Sequence, residues 1–210
     1  MLLDISLRDY LRRASQSNAA PGGGSVCALS AALGAAMNSM VGEISISKCE
    51  NNDGKDKMES MVNASIKLMD ELKCGIDEDV EAFNMVLEAY RLPKDTADEK
   101  RERSGAIQDA LKGASALPLR IAYLSVDVMK MSINMLEQGR KSALSDASCG
   151  GFLGYAALNG ALCNVRINIK SIDDKNYAAD MEKRVEYLEN ESENLLAKIK
   201  ELSLKKLAKM

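Results

Sequence analysis

Residues 21–42 read Pro21-Gly22-Gly23-Gly24-Ser25 and then VCALSAALGAAMNSMVG, from Val26 to Gly42. The second part holds no charged residue. A helix that is apolar all round has to be enclosed by other elements, so the segment predicts a helical protein with this stretch at its centre. The three glycines leave the backbone free to approach a ligand closely. Ser25 is placed to cap the helix that follows. The exposed N–H groups of such a helix start suit an anion. The same letters also suit a tight turn that feeds a buried helix and binds nothing. A P-loop is excluded, because no Gly-Lys-Ser/Thr closes the turn. The uncharged run extends back to Ala14, which raises a membrane reading. Its Pro, Gly, Ser and Ala content and the internal Asn38 leave it only marginally apolar, so a soluble bundle with no membrane partner is expected.

Working outward, Ser6 with Asp9 marks the start of a first helix, and Leu7, Leu11 and Ala14 share its inner face. The second helix is expected from about Ser25 to Lys48, with the polar run Asn51-Asn52-Asp53-Gly54 as a loop. A long third helix runs from about Lys55 to Tyr90 and stops at Leu92-Pro93-Lys94. Thr96 and Glu99 form a capping box for the fourth. Pro118 predicts a kink or a fresh start. Leu124, Val128, Met131 and Met135 give the next helix its inner stripe, and Gly139 ends it. A sixth helix opens near Ser145-Asp146 and is again uncharged from Ala147 to Val165. The last, from about Asp174 to Met210, carries Met181, Val185, Leu188, Leu195, Ile199 and Leu202 at heptad-like spacing. The whole predicts one all-α domain over residues 1–210, a bundle with two central helices rich in small residues.

Composition agrees. The chain has 210 residues, 46% hydrophobic but only 4% aromatic and without Trp, so its core must come from Ala, Leu, Met, Ile and Val. The net charge of −3, with both signs dispersed, argues against a nucleic-acid partner. There is no histidine, which removes the commonest general base and the commonest metal ligand. Cys27, Cys49, Cys74, Cys149 and Cys163 have no metal-binding spacing and read as free thiols in a cytoplasmic setting. The N-terminus, with Asp4 and no long apolar core, is not expected to be a signal peptide.

One charge falls on the wrong face. In the third helix, Met69, Ile76, Phe83 and Tyr90 form one heptad row, and Ser65, Leu72, Asp79 and Val86 the adjacent one. Asp79 therefore sits in the apolar stripe, whereas Asp77, Glu78 and Glu81 fall on solvated faces. Burial raises a carboxyl toward neutrality, which is what acid–base work needs where histidine is missing. A structural Asp paired with a Lys or Arg is the alternative. Asn164 and Asn168 share a helix face, suited either to cross-linking helices or to reading the amide-like edge of a ring. Ser145 and Asp146 suit capping as well as binding.

Together, Ala20-Pro21-Gly22-Gly23-Gly24-Ser25-Val26, Asp79-Val80-Glu81-Ala82-Phe83, Arg91-Leu92-Pro93-Lys94 with Glu99-Lys100 and Arg103, then Pro118, Ser145-Asp146 and Asn164-Val165-Arg166-Ile167-Asn168, resemble the cyclodeaminase/cyclohydrolase family of one-carbon folate enzymes. The match runs from about residue 5 to 190. One departure is Gly139-Arg140, where the family often carries Gly-Asn before Ser-Asp. The resemblance implies an all-helical homodimer acting on a tetrahydrofolate derivative, with or without a polyglutamate tail. It places the family's acidic residue on Asp79 and lines the folate site with Gly22, Gly23, Gly24 and Ser25. Lys94 and Arg103 become candidates for the anionic tail, and Ser145, Asp146, Asn164 and Asn168 for further substrate contacts.

The implied chemistry is formation of 5,10-methenyltetrahydrofolate and ammonia from the 5-formimidoyl compound. N10 attacks the formimidoyl carbon carried on N5, and one carboxyl takes the N10 proton and returns it to the leaving amine. The second reading is a methenyltetrahydrofolate cyclohydrolase, in which the same carboxylate activates water. Neither route calls for a metal or a cofactor beyond the folate. A third reading, of another class, is a helical interaction module without catalysis. The length leaves no room for a fused formiminotransferase domain, so any transfer step is expected on another protein.

Overall fold

The computed structural model of the chain describes residues 1–17, 20–47, 49 and 51–207. Six α-helices follow a short 3₁₀ turn at Leu2–Asp4, and no strand occurs among the described residues. Ser6 Oγ accepts the Asp9 N–H at 3.1 Å and opens α1, Leu7–Ala14. Gly22 precedes α2, Gly23–Ile46. Asn51 Oδ1 accepts the Gly54 N–H at 2.8 Å and opens α3, Asn52–Arg91. Thr96 and Glu99 form the reciprocal capping box of α4, Ala97–Gln138, which ends at Gly139. A 3₁₀ turn at Lys141–Ala143 leads into α5, Leu144–Ile169. Asp174 Oδ1 accepts the Tyr177 N–H at the start of α6, Lys175–Leu207.

The two small-residue helices pair at the centre, running antiparallel. A Cβ on Gly34 would lie 2.8 Å from the Gly150 carbonyl, so the helices touch backbone to backbone there. Ser30 Oγ donates to Leu153 O at 3.1 Å across the same seam. α3 and α4 pack against this pair, and α6 covers α4 and α5. Asn38, fully buried in α2, donates to Val128 O at 3.0 Å and accepts from Ser132 Oγ at 2.8 Å, so its amide is satisfied inside the bundle. α2 is long and apolar enough to cross a membrane by composition, and about half of it is buried against the other helices. The seam of α6 packs into its own chain through Met181, Val185, Leu188 and Ile199.

The structure corrects five expectations. Pro118 neither breaks nor restarts the helix, and α4 runs through it as one element. The missing N–H leaves the carbonyl four residues earlier, Ala114 O, without its helical donor. Asn168 Nδ2 from α5 supplies that donor at 2.6 Å. Asn51 is a cap rather than part of a loop, so α3 begins at Asn52. Ser25 lies inside the first turn of α2, not at its cap. Leu7 and Leu11 are 68% and 60% exposed, and α1 is held instead by Tyr10, 6% exposed. The two central helices are not wholly enclosed: Val26, Leu33 and Met40 of α2 and Phe152 and Ile167 of α5 reach solvent. The expected ends at Lys48 and Met210 lie outside the described residues.

Candidate active site

The glycine turn, α3 and the end of α5 meet at one point. The Ala20–Pro21 peptide is cis, and the chain enters α2 through Gly22. Asp79 of α3 reaches the first turn of α2. Its Oδ2 accepts the Ser25 N–H at 2.9 Å. The Ser25 hydroxyl lies 2.7 Å from Ile76 O and 3.1 Å from Asp79 Oδ2, so its single proton serves two acceptors. A carboxylate on free N–H groups at a helix start is stabilised by both the hydrogen bonds and the helix dipole. The anion that this turn binds in the protein itself is thus the side chain of Asp79.

The glycines are needed for space rather than for unusual dihedrals, since none of the described residues has a positive φ. A Cβ on Gly24 would collide with Asp79 Oδ1 and stand 2.6 Å from its carboxyl carbon. A Cβ on Gly23 would stand 3.3 Å from Asn164 Nδ2. That amide donates to Gly160 O at 2.9 Å, which keeps its oxygen turned away from the α5 backbone. Gly160 in turn makes room for Cys27, whose sulfur would be 2.6 Å from a Cβ there. Burial above all, then the charges of Asp79 and Cys163, push the Cys27 thiol up to about 11.

Of the residues singled out from sequence, Gly22, Gly23, Gly24, Ser25, Asp79 and Asn164 come together here. Asn168 lies one turn beyond Asn164 with its amide engaged on Ala114 O. Lys94 is exposed beyond the end of α3, and Arg103 donates to Tyr90 O at 3.1 Å and stacks on the Tyr90 ring. At about 1.5 Å per residue, Tyr90 stands about 16 Å along α3 from Asp79. Ser145 and Asp146 occupy the first turn of α5, about 30 Å from Asn164 by the same measure, and are not joined to Asp79 within one chain. Asp146 caps nothing, because Ala143 precedes the helix without a side-chain bond.

Two residues were missed. Asp77 is half-buried rather than solvated: its Oδ1 accepts the Leu2 N–H at 2.6 Å, and its Oδ2 is buried without a partner among the described residues. Tyr10 Oη is likewise buried without a partner. Glu78, by contrast, pairs with Arg120 as a surface ion pair. An open groove of about 370 Å³ begins at Glu78 and runs between α3 and α4 past Ala82, Met85, Gly113 and Arg120. Among the described residues no three His, Cys, Asp or Glu side chains cluster as metal ligands.

The arrangement defines an all-helical protein with a carboxylate seated on a glycine-rich helix start. The formiminotransferase-cyclodeaminase family profile matches residues 6–187. The chain belongs to that family. It is 35% identical to the methenyltetrahydrofolate cyclohydrolase of Methylorubrum extorquens, over 87% of this chain and 88% of that one. It is 34% identical to mouse formimidoyltransferase-cyclodeaminase over 93% of this chain, and spans 36% of that longer protein. The crystal structure of a formiminotetrahydrofolate cyclodeaminase from Thermotoga maritima superposes with a TM-score of 0.86 at 26% identity, covering 96% of this chain and 97% of that one.

Proposed function

We propose that the chain is a one-carbon folate enzyme, a formimidoyltetrahydrofolate cyclodeaminase, with Asp79 as its proton shuttle. The observation that carries this reading is the Asp79 carboxylate, fixed through Oδ2 by Ser25 and left with Oδ1 over the bare Cα of Gly24. One oxygen is anchored, and the other packs against the glycine backbone of the turn. N10 attacks the formimidoyl carbon on N5 and forms the new C–N bond. Asp79 takes the N10 proton and delivers it to the formimidoyl nitrogen, which already carries two protons as the amidinium, and the bond of that nitrogen to carbon then breaks to release ammonia and leave the methenyl cation. Both reacting nitrogens belong to one molecule, so orientation supplies much of the rate. Gly22, Gly23 and Asn164 line the folate, and Lys94 and Arg103, at the far end of the α3–α4 hairpin, meet its anionic tail. Asn168 is assigned to structure.

A specific observation favours a second reading. The M. extorquens cyclohydrolase matches this chain over nearly the full length of both. In that reaction Asp79 takes a proton from water as it adds to the methenyl carbon. Absorbance of methenyltetrahydrofolate separates the two. Growth of the signal from 5-formimidoyltetrahydrofolate, with ammonia released, supports the cyclodeaminase. Decay of added methenyltetrahydrofolate, with no reaction of the formimidoyl compound, supports the cyclohydrolase. Inertness toward both leaves the interaction module.

The functional unit in this reading is a homodimer. α2 and α5 pair side by side, and each turns an uncharged row outward, with Leu33 49% and Phe152 42% exposed. A second copy of the same face covers both rows without burying a charge.

A further inference from the structure

Tyr10 holds α1 on the bundle, although the leucines of that helix are better suited to the task. A phenylalanine would bury the same ring without the cost of an unpaired hydroxyl. Yet the Tyr10 hydroxyl is buried and makes no hydrogen bond among the described residues. The charges of Asp79, Cys27 and Asp77 act on it. None of them accepts its proton. Asp79 Oδ2 accepts from Ser25, Asp77 Oδ1 accepts the Leu2 N–H, and Asp77 Oδ2 has no partner among the described residues. Burial first, then these neighbours, push the phenol up to about 12, so it keeps its proton over the whole working range. A committed donor that makes no hydrogen bond among the described residues thus lies buried where the charge of the shuttle carboxylate acts on it.

We propose that Tyr10 is a further catalytic residue, its hydroxyl donating a hydrogen bond to the group on which Asp79 acts. This rests on the folate reading above. The group is the nitrogen leaving the one-carbon unit or, in the hydrolytic reaction, the oxygen adding to it. In the tetrahedral form either atom has a lone pair for the phenol. No bond to Tyr10 forms or breaks, the phenol retains its proton, and Asp79 alone transfers one.

The test is Tyr10→Phe, which removes one oxygen and keeps the ring that anchors α1. Steady-state turnover of both folates and thermal melting are measured beside wild type and Asp79→Asn. The expected result is a fall in kcat of about 100-fold, the usual effect of deleting one donor to a reacting centre. KM stays unchanged, because the bond is made in the tetrahedral form. The melting temperature equals or exceeds that of wild type, because an unpaired buried hydroxyl is gone. A merely structural tyrosine gives the reverse, a lower melting temperature with full kcat. Full kcat in Tyr10→Phe, while Asp79→Asn is inactive, overturns the proposal and leaves the folate reading standing. A wild type inert toward both folates overturns the folate reading and this proposal with it.

Discussion

At residue 24 the absence of a side chain decides what residue 79 can do. Gly24→Ala forces the Asp79 carboxyl off Ser25, and we expect a loss of about 1–3 kcal/mol in urea unfolding together with a marked loss of turnover. Wild-type stability and rate in that variant would contradict the close approach. Asp79→Asn keeps the size of the side chain but removes the base, so kcat should drop by about 100-fold or more while the circular dichroism spectrum is unchanged. Cys27 gives a pH test. Its thiol stays protonated up to about 11 in the fold, against 9 as the ordinary value, so the unfolded chain loses that proton first. Stability is full below pH 9 and falls as pH rises through 11. Urea midpoints across that window should fall less steeply in Cys27→Ala. The inward position of Asp79 was legible in the sequence because a heptad row places a residue on a face without any knowledge of its partners. Tyr10 and Asp77 were not, because the leucines of α1 outweighed a tyrosine in the face assignment, and the Leu2 N–H that holds Asp77 comes from a turn with no sequence signal.

Among the elements, capping residues gave the clearest signals. Ser6 and the Thr96–Glu99 box open the helices they were expected to open, because their bonds are local. Pro118 misled for the opposite reason. Its effect depends on whether a donor arrives from elsewhere, and Asn168 lies on another helix. The pair makes a quantitative prediction. Asn168→Ala leaves Ala114 O without a partner and should cost about 1–3 kcal/mol. Pro118→Ala restores the backbone N–H, and in that background the same substitution should cost much less. A double-mutant cycle in urea measures the coupling. Equal costs in both backgrounds would return Asn168 to the list of candidate substrate contacts.

For the molecule as a whole, the uncharged runs announced which helices lie at the centre, but not that each keeps one face open. Periodicity reports apolarity and is silent on whether the cover comes from the same chain or from another. The homodimer predicts that Leu33→Glu, which places a charge in the middle of the α2 row, yields a monomer by light scattering, whereas wild type elutes at twice the mass of one chain. Equal masses for the two would contradict an interface on this face. The most direct test of the central claim is the absorbance of methenyltetrahydrofolate when 5-formimidoyltetrahydrofolate meets wild-type protein and Asp79→Asn side by side. Rapid growth with ammonia release in the first, and growth no faster than the uncatalysed blank in the second, is the predicted result. Equal rates from the two proteins would contradict Asp79 as the shuttle.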